Sequence, residues 1–518
     1  MFNQLIKAVS NNKFVALQIG VLAVVSFLLR FTYLGYSNFQ GDEINTLCRL
    51  SNYETLIHFL RYLLGQRKGP LQFLITCTYS IFDPNFSSEL ALRLPFAAAN
   101  FLAVVCFFIL VYRLFSFQIA IYSSFLFATN GIFIAFARIV QYQSFVILGV
   151  VLGILGLTMG LQYEKWRVAG LYLGFTSAAI GLLGHFDAVF VLPPMAVLVI
   201  HWWRKFHDHP DFAQLRRHLI VAVGIFTFLV LAFYIEYALQ LGSFQTDYWS
   251  KRLAGVSTNI FRIFQFYNPG PGLWIYIGTV ILGLTRIRKS IGLQVTLSWI
   301  LPPLIFMEIA FKDSRTHAYT YLLPALIVAG MGFDAIADWT HRFLRTKSDQ
   351  VPRAMILTVL LILSCISFTI LVDHVPEYPW YPKQVLGVEH KGGYLAGTFG
   401  FPYRREWREI ARWFDTMTDQ EVVLATNEKV QIPTFYLPSK VRYNYISRDF
   451  PEQIETDQGL YVLIIQRPQS WLGQLWGKPV GEWHENLNPL HDFVNEEGMI
   501  VASIYFLTPD QIEAEFHN

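Results

Sequence analysis

Long apolar runs alternate with short polar connections from residue 14 to residue 373. Because a helix needs about 20 apolar residues to cross the hydrocarbon core of a bilayer, such runs indicate transmembrane helices. The predicted spans are 14–35, 91–112, 117–137, 143–161, 168–186, 188–203, 219–240, 272–285, 291–311, 319–338 and 354–373. The pattern therefore predicts a mostly α, polytopic membrane protein of about 11 transmembrane helices.

The basic residues of the connections predict the orientation of these spans. Connections rich in Lys and Arg occur at 162–167, 204–218, 286–289 and 342–353, whereas 241–271 and 312–318 are poorly basic or aromatic. Basic loops stay in the cytoplasm, so the two poorly basic connections, 241–271 and 312–318, should lie outside. Lys7 and Lys13 likewise predict a cytoplasmic N-terminus, followed by an uncleaved signal anchor. The protein is thus predicted to be integral to the cell (inner) membrane.

A shorter apolar stretch, 69–82, tests this orientation. If it crossed the membrane, every later basic loop would move outside. We therefore expect an amphipathic or re-entrant helix on the outer face, beside the first external loop. With 11 spans by the length criterion, the C-terminus would lie outside.

The composition changes at residue 374. Pro376, Pro379 and Pro382 form a linker, and residues 383–518 have the mixed character of a water-soluble region. The segment 404–417 has helical spacing of apolar residues, and 421–426, 441–446, 459–466 and 499–507 are typical of short strands. We therefore predict a transmembrane domain over 1–373 and a small external (periplasmic) α/β domain over 374–518.

Composition excludes some classes of function. Only 15% of residues are charged, and the net charge, 40 − 37 = +3, is too small to indicate a nucleic-acid partner. The four cysteines form no zinc-binding pattern, and Cys106 and Cys365 are expected to be small buried apolar side chains. Cys48 and Cys77 both fall near the outer face, which permits a disulfide, although no spacing pattern supports one.

Asp42 and Glu43 form an acidic pair just after the first span, in the loop that runs from Tyr36 to Thr46. The pair lies at the level of the lipid headgroups, between aromatic residues that suit a membrane interface. It is either a solvated loop or a site for chemistry on a membrane-held substrate. In the second case one carboxylate would serve as general base toward an acceptor hydroxyl or amine, and its neighbour would orient the acceptor or bind a cation.

Other polar residues are predicted to face the same side of the membrane. Lys68 precedes a helix opened by Pro70 and forms a candidate phosphate site, with snorkelling at a helix start as the alternative. Arg138 and Tyr142 lie at the outer end of the third span, where an anchoring role is equally compatible. The remaining candidates are His185 and Asp187 in a tight outer turn, and Arg315, His317, Tyr319 and Tyr321 in a basic–aromatic cluster suited to phosphate.

In their order along the chain, these motifs resemble those of the GT-C superfamily of integral-membrane glycosyltransferases. The similar group contains the protein O-mannosyltransferases, the lipid A aminoarabinose transferases and the rhizobial galacturonosyltransferases. The resemblance covers residues 14 to about 340 and rests on an ordered series of short motifs: Gly41-Asp42-Glu43, Lys68-Gly69-Pro70-Leu71, Ala91-Leu92-Arg93-Leu94-Pro95, Ala137-Arg138 with Tyr142, and His317 with Tyr319, Tyr321 and Pro324.

The resemblance implies a sugar donor carried on a polyprenyl phosphate and a glycan, lipid or protein acceptor on the outer side. It implies Asp42 as the base, with Glu43 as its assistant or, together with Asp42, as a ligand for a divalent cation. Lys68, Arg138, Arg315, His317, Tyr319 and Tyr321 would bind the donor phosphate, and Tyr142, His185 and Asp187 would line the substrate cavity.

The chain departs from the family pattern at two places. Gly69 replaces the first proline of the usual pair. The second acid that several relatives have after the arginine is absent, because Gln141, Gln143 and Ser144 occupy that region. Asp187 is a candidate substitute.

Two other classes of protein remain as alternatives. A transporter or flippase of a lipid-linked saccharide would tend to have repeats or broken helices near the midplane, whereas this chain gathers its polar residues at one face. A non-enzymatic scaffold would leave Asp42, Glu43 and the cluster around Arg315 and His317 unexplained.

Overall fold

The computed structural model describes residues 12–240, 242, 250, 260–311, 315–345, 348–392, 398–417, 422–429, 431–439, 441–445, 459–469 and 487–511. Three groups of residues with predicted roles lie outside the described residues: Lys7, residues 241, 243–249 and 251–259 of the predicted outer loop 241–271, and residues 312–314 of the basic–aromatic cluster.

Apolar helices form a bundle over the first 371 residues. Within the described residues, nine helices are long and apolar enough to cross a membrane, or ten if one bent pair counts as a span. The membrane helices are α1 Lys13–Phe31, α5 Glu89–Leu114, the bent pair α6 Phe117–Thr129 and α7 Gly131–Ala137, α8 Gln143–Gln162, α9 Arg167–Gly184, α10 Leu192–Phe206, α11 Phe212–Leu239, α14 Ile291–Ile305, α15 Tyr319–Leu344 and α16 Gln350–Leu371. The predicted polytopic α fold is confirmed.

One predicted span, 272–285, is not among these helices. The predicted span 272–285 is a helix of 13 residues, Gly272–Leu284 (α13). At 1.5 Å per residue it is roughly 20 Å long, which is shorter than the apolar core of a bilayer. It follows a further short helix, α12 Ile260–Tyr267.

The predicted span 117–137 is not one straight helix. It bends by 63° between α6 and α7. Asn130 adopts an extended backbone, and its side-chain oxygen accepts a hydrogen bond from the Ile132 amide (3.0 Å), which starts a new helix. The Gly131 amide donates to Asn268 Oδ1 (2.9 Å), so the bend is anchored to the segment after α12. The bend directs residues 138–142 toward the loop that runs from Tyr36 to Thr46.

Glycines bring α8 and α9 into backbone contact. A Cβ on Gly149 would lie 2.8 Å from Gly181 Cα, and one on Gly156 would lie 2.6 Å from the Gly174 nitrogen. Small residues spaced along two helices permit this close approach in a membrane. The packing fixes the turn at His185 beside the start of α8.

The predicted outer segment 69–82 does not span. Its helical part, α4 Leu71–Tyr79, has only 9 residues and follows α2 Gly41–Ile44 and α3 Leu56–Leu64. A disulfide joins Cys48 to Cys77 and ties α4 to the segment after α2. Cys106 is buried as predicted, whereas Cys365 is exposed on the surface of α16. The sequence permits this disulfide but does not predict it.

The C-terminal region contains a five-stranded mixed sheet in the order β4–β3–β5–β7–β6. β3 pairs in parallel with β4 and β5, and β7 pairs antiparallel with β5 and β6. Trp407, Ile410 and Phe414 form the buried face of the helix α17, which packs against the sheet as its spacing predicts. The elements are β1 Lys383–Val385, β2 Val388–His390, α17 Trp407–Met417, β3 Val422–Thr426, α18 Gln431–Tyr436, β4 Val441–Tyr445, β5 Leu460–Ile465, β6 His491–Val494 and β7 Ile500–Leu507.

Three of these strands, β1, β2 and β6, and the helix α18 were not predicted from the sequence. β6 is an edge strand with one buried residue, Phe493, so it has almost no alternation of apolar and polar positions. β1 and β2 form a separate hairpin of three residues each.

Candidate functional site

The loop that runs from Tyr36 to Thr46 is held between the helix bundle and the C-terminal region. The Asn38 amide donates to the Tyr403 carbonyl (2.9 Å), and Asn38 Oδ1 accepts from the Arg405 amide (2.7 Å). The Phe39 amide donates to the Tyr436 hydroxyl (2.8 Å). Because these bonds connect distant parts of the chain, the acidic pair that follows is in a fixed loop.

Glu43 is buried and fully paired. Its Oε1 accepts from Arg93 Nε (2.8 Å) and from the Val140 amide (2.9 Å), and its Oε2 accepts from Arg93 Nη2 (2.8 Å) and the Gln40 amide (2.8 Å). The side chains of Glu43 and Arg93 are each only 1% exposed. Four donors occupy the carboxylate. Glu43 therefore joins α2, α5 and the turn before α8, and leaves little room for a cation.

Asp42, by contrast, is exposed. It borders a cleft whose other wall comes from the linker and the C-terminal sheet region, with Trp380, Lys429 and Gln469. Gln141 Nε2 donates to Asp42 Oδ2 over 3.4 Å. An exposed carboxylate with an oxygen open to a cleft is available to an incoming acceptor, which suits a general base.

Lys68 lies close enough to this carboxylate for the two charges to interact. Burial lowers the pKa of the Lys68 ammonium below its ordinary value, although the negative charge of Asp42 acts in the opposite direction. The two charges of opposite sign therefore share one side of the site, at the start of α4.

Gly69 explains why the chain departs from the proline pair. Its φ is +83°, and a Cβ there would lie 2.4 Å from the Leu183 carbonyl and 2.7 Å from that of Gly184. Proline cannot adopt positive φ, and any side chain would collide with backbone. Glycine thus lets the backbone that follows Lys68 pack directly against the turn that carries His185.

Asp187 organises a second cluster next to Lys68. Its Oδ2 lies 2.7 Å from His317 Nδ1 and accepts from the Tyr319 hydroxyl over 2.9 Å. The ring of Tyr142 stacks on that of His185 at 4.0 Å. Residues from four separate helix ends therefore meet here. The sequence predicted only that they face the same side of the membrane.

The same cluster has the donor set for a divalent cation. Ligand atoms of His185, Asp187 and His317 lie within 4.8 Å of one another, in the part of the chain that the structure describes. His185 Nδ1 accepts from the Asp187 amide and lies 3.2 Å from Asp187 Oδ1. Burial lowers the pKa of His185 to about 4, so the ring is neutral at pH 7. His185 Nδ1 and Asp187 Oδ1 are thus two hydrogen-bond acceptors that face each other. A cation bound to both atoms would remove their mutual repulsion.

Three predicted phosphate ligands lie elsewhere. Arg138 donates to the carbonyls of Thr32 (2.8 Å) and Tyr33 (3.1 Å), so it caps the end of α1. Burial lowers its pKa to about 9. Tyr321 faces away from Tyr319 and donates to Glu308 Oε1 (2.6 Å). Arg315 is exposed at the start of the turn that leads to His317.

An apolar groove of about 570 Å³ lies on the Tyr321 side of α15. Side chains of α12, α13, α14 and α15 form its walls, and Glu308 is the single charged residue among the lining residues that the structure describes. The walls include Phe261, Phe264, Leu273, Tyr276, Ile277, Val280, Ile281, Leu304, Leu322 and Leu326. A hydrocarbon chain fits these surroundings better than a polar ligand.

Arg93, Trp380, Lys429 and Gln469 were not identified as site residues from the sequence. Arg93 carried a signal, since an arginine within the first turns of a span is costly unless it has a partner. Lys429 and Gln469 carried none, because only the folding of the C-terminal sheet brings them to the cleft.

Comparison with known proteins agrees with this architecture. Residues 68–241 match the family model described as dolichyl-phosphate-mannose-protein mannosyltransferase. No curated protein sequence matches the chain. Among solved structures, ArnT from Cupriavidus metallidurans bound to undecaprenyl phosphate is 12% identical, with a TM-score of 0.52 over 95% of this chain and 98% of that chain.

A second solved structure is also similar. The archaeal oligosaccharyltransferase AglB from Archaeoglobus fulgidus, in complex with an inhibitory peptide and a dolichol-phosphate, is 12% identical, with a TM-score of 0.50 over 88% of this chain and 70% of that chain. At such identities the likeness is one of fold. The chain is a polytopic membrane protein that shares the fold of these two structures, which is the fold that the resemblance of its motifs to GT-C glycosyltransferases implied.

Proposed function

We propose that the protein transfers a sugar from a polyprenyl-phosphate donor to an acceptor on the outer side of the membrane. The observation that carries the proposal is the position of Asp42. Its carboxylate is exposed to a cleft, and its negative charge interacts with the positive charge of Lys68, which also acts on the buried His185 of the Asp187 cluster. An acid for the acceptor and a cation for phosphate thus share one site.

The donor would bind with its tail in the apolar groove along α15. That groove and the Asp187 cluster lie on two sides of the same helix end, since Tyr321 and Tyr319 face them respectively. A lipid tail in the groove would bring its phosphate to the turn that precedes α15, where His317 lies. The similar structures of ArnT and AglB hold undecaprenyl phosphate and dolichol-phosphate, which supports this class of donor.

In the transfer step, Asp42 would take the proton of an acceptor hydroxyl or amine as its oxygen or nitrogen attacks the anomeric carbon. The bond between that carbon and the phosphate oxygen breaks, and lipid phosphate leaves. Negative charge grows on the leaving phosphate, so Lys68 and His317 would stabilise the transition state more than the bound donor. Glu43 assists by holding the loop of Asp42 in position.

A divalent cation, where one takes part, would be held by His185, Asp187 and His317 and would neutralise phosphate charge. The family resemblance implies Asp42 and Glu43 as the ligands of such a cation. The four donors on Glu43 favour the histidine cluster instead.

The outer location has support from the disulfide between Cys48 and Cys77, which lies beside the site. Disulfides persist in oxidising compartments and are rare in the cytosol. Together with the distribution of basic loops, this favours a periplasmic site, with the C-terminal domain on the same side.

The test is transfer by the purified full-length protein in detergent, given a polyprenyl-phosphate sugar and a panel of acceptors. Release of polyprenyl phosphate that depends on both acceptor and Asp42 supports the proposal. Movement of intact donor across a liposome membrane, without bond cleavage, would instead support the transporter alternative.

A further inference from the structure

A second polar cavity lies at the opposite end of the helix bundle. It has a volume of about 630 Å³ and is formed where α5, α8 and α10 end and α14 begins. The other ends of α5 and α8 carry Arg93 and Gln143, close to the candidate site. Because α8 has 20 residues, the two sites are roughly 30 Å apart, about the thickness of the hydrocarbon core.

The walls of this cavity carry positive charge. Arg113, Arg204 and Lys205 line it, together with His201, and no Asp or Glu occurs among the lining residues that the structure describes. The first turn of α14, with Ser290 at its N-cap, also faces the cavity, and a helix N-terminus adds a positive field and free amide donors. All the fixed charge in the cavity therefore favours an anion.

Two tyrosines fix the position of the Arg113 guanidinium, and one of its donors has no hydrogen bond among the described residues. Its Nη1 donates to the Tyr163 hydroxyl, and its guanidinium lies over the rings of Tyr112 (4.9 Å) and Tyr163 (5.2 Å). Its Nε is buried and makes no hydrogen bond within the described residues. A buried donor of this kind is costly unless something accepts from it.

Lys205 and Arg204, the other two cations of the cavity, differ in their hydrogen bonds. Lys205 Nζ donates to the Leu161 carbonyl (2.7 Å) at the end of α8, so part of its role is to cap that helix. Arg204, one position earlier, has no hydrogen bond or ion pair among the described residues and is exposed at the cavity. Basic residues are common at this membrane face, but an acid-free cavity between four helix ends is a more specific feature.

We infer that this cavity binds the headgroup phosphate of an anionic membrane lipid. Leu114, Leu161, Leu198 and Ile291 supply apolar walls beside the cations. On the adjacent surface of α10, Ile200 and Trp203 are 50% and 39% exposed, where acyl chains would lie. A headgroup phosphate with attached acyl chains matches both parts, whereas free phosphate matches only the first.

The test measures thermal unfolding of the purified full-length protein in detergent with three additives: dioleoyl-phosphatidylglycerol, dioleoyl-phosphatidylcholine and inorganic phosphate. We expect only the anionic lipid to raise the midpoint. Arg204→Gln should need at least about five times more of this lipid for the same shift, since one cation near a lipid phosphate contributes on the order of 1 kcal/mol. Arg217→Gln is the matched control, because Arg217 is an exposed arginine at the same end of the bundle and outside the cavity.

Three results would overturn the inference. The first is an equal response of the two variants to phosphatidylglycerol. The second is an equal effect of phosphatidylcholine on the wild-type protein. The third is a shift with inorganic phosphate alone that matches the lipid's, which would show a soluble anion as the ligand.

Discussion

Arg93 and Glu43 form a buried two-pronged ion pair, with Nε and Nη2 of the arginine each 2.8 Å from a different carboxylate oxygen. Arg93 also donates to the carbonyls of Leu34, Ser37 and Asn38. The pair therefore holds the whole turn between α1 and α2 against the start of α5. It sets where Asp42, the adjacent residue, presents its carboxylate.

Removal of one partner from this pair should destabilise the protein strongly. Glu43→Ala leaves a buried arginine unpaired, which costs on the order of 3–5 kcal/mol. The ion pair of Arg286 and Asp338 has a similar distance (2.8 Å) but is exposed, so Asp338→Ala should cost about 1 kcal/mol or less. Thermal unfolding in detergent compares the two variants, and similar losses would contradict the importance given to burial.

Asp42→Asn should lower the transfer rate by at least about 100-fold, the usual contribution of a general base. The fold should survive, because the side chain is exposed and its bond to Gln141 is long (3.4 Å). Glu54→Gln is the control, since Glu54 is an exposed acid in the same external region. If Asp42→Asn kept full activity while it remained folded, another residue would have to be the base.

Lys68→Gln should weaken donor binding and raise the KM for the donor, because a phosphate loses its cation. Burial lowers the pKa of Lys68 below the ordinary 10.5, so its positive charge is present at low pH and disappears as pH rises through that lowered value. Donor binding should therefore fall at a lower pH than an ordinary lysine would give. In Lys68→Arg the charge persists to higher pH, so the alkaline limb of the pH profile should move upward; an unchanged limb would point to another group.

Gly69→Ala should lower both stability and activity. The substitution places a Cβ against the Leu183 carbonyl at positive φ, which costs on the order of 1–3 kcal/mol and displaces Lys68. Gly278→Ala in α13 is the matched control, because a Cβ there meets nothing within 4 Å and alanine is the better helix former. Unfolding midpoints and donor KM are measured for both, and an unaffected Gly69→Ala would contradict the close contact.

The metal content of variants distinguishes two candidate ligand sets for a divalent cation. One set is Asp42 and Glu43, and the other is His185, Asp187 and His317. If the protein retains a divalent cation on purification, Asp187→Asn and His317→Ala should lose it, whereas Asp42→Asn should keep it. Elemental analysis by mass spectrometry measures the ratio of metal to protein directly. Loss of metal in Asp42→Asn but not in Asp187→Asn would show that the acidic pair, Asp42 and Glu43, binds the metal.

The apolar periodicity of the chain by itself determined the membrane architecture. Most long runs became single helices close to their predicted bounds, apart from the bent run 117–137, because burial of apolar side chains away from water does not depend on details of neighbouring contacts. It also placed Asp42, Lys68, His185, Asp187, His317 and Tyr319 at one end of the bundle. Alternation of apolar residues found the strands β3, β4, β5 and β7 but not the edge strand β6.

Only the tertiary structure decided which of these polar groups meet. Asp42 and Glu43 are neighbours in sequence, yet one faces a cleft and the other is buried on Arg93, 50 residues away. Tyr319 and Tyr321 divide in the same way between the Asp187 cluster and the apolar groove. Directions of side chains at helix ends depend on hydrogen bonds to distant segments, and local periodicity carries no information about such partners.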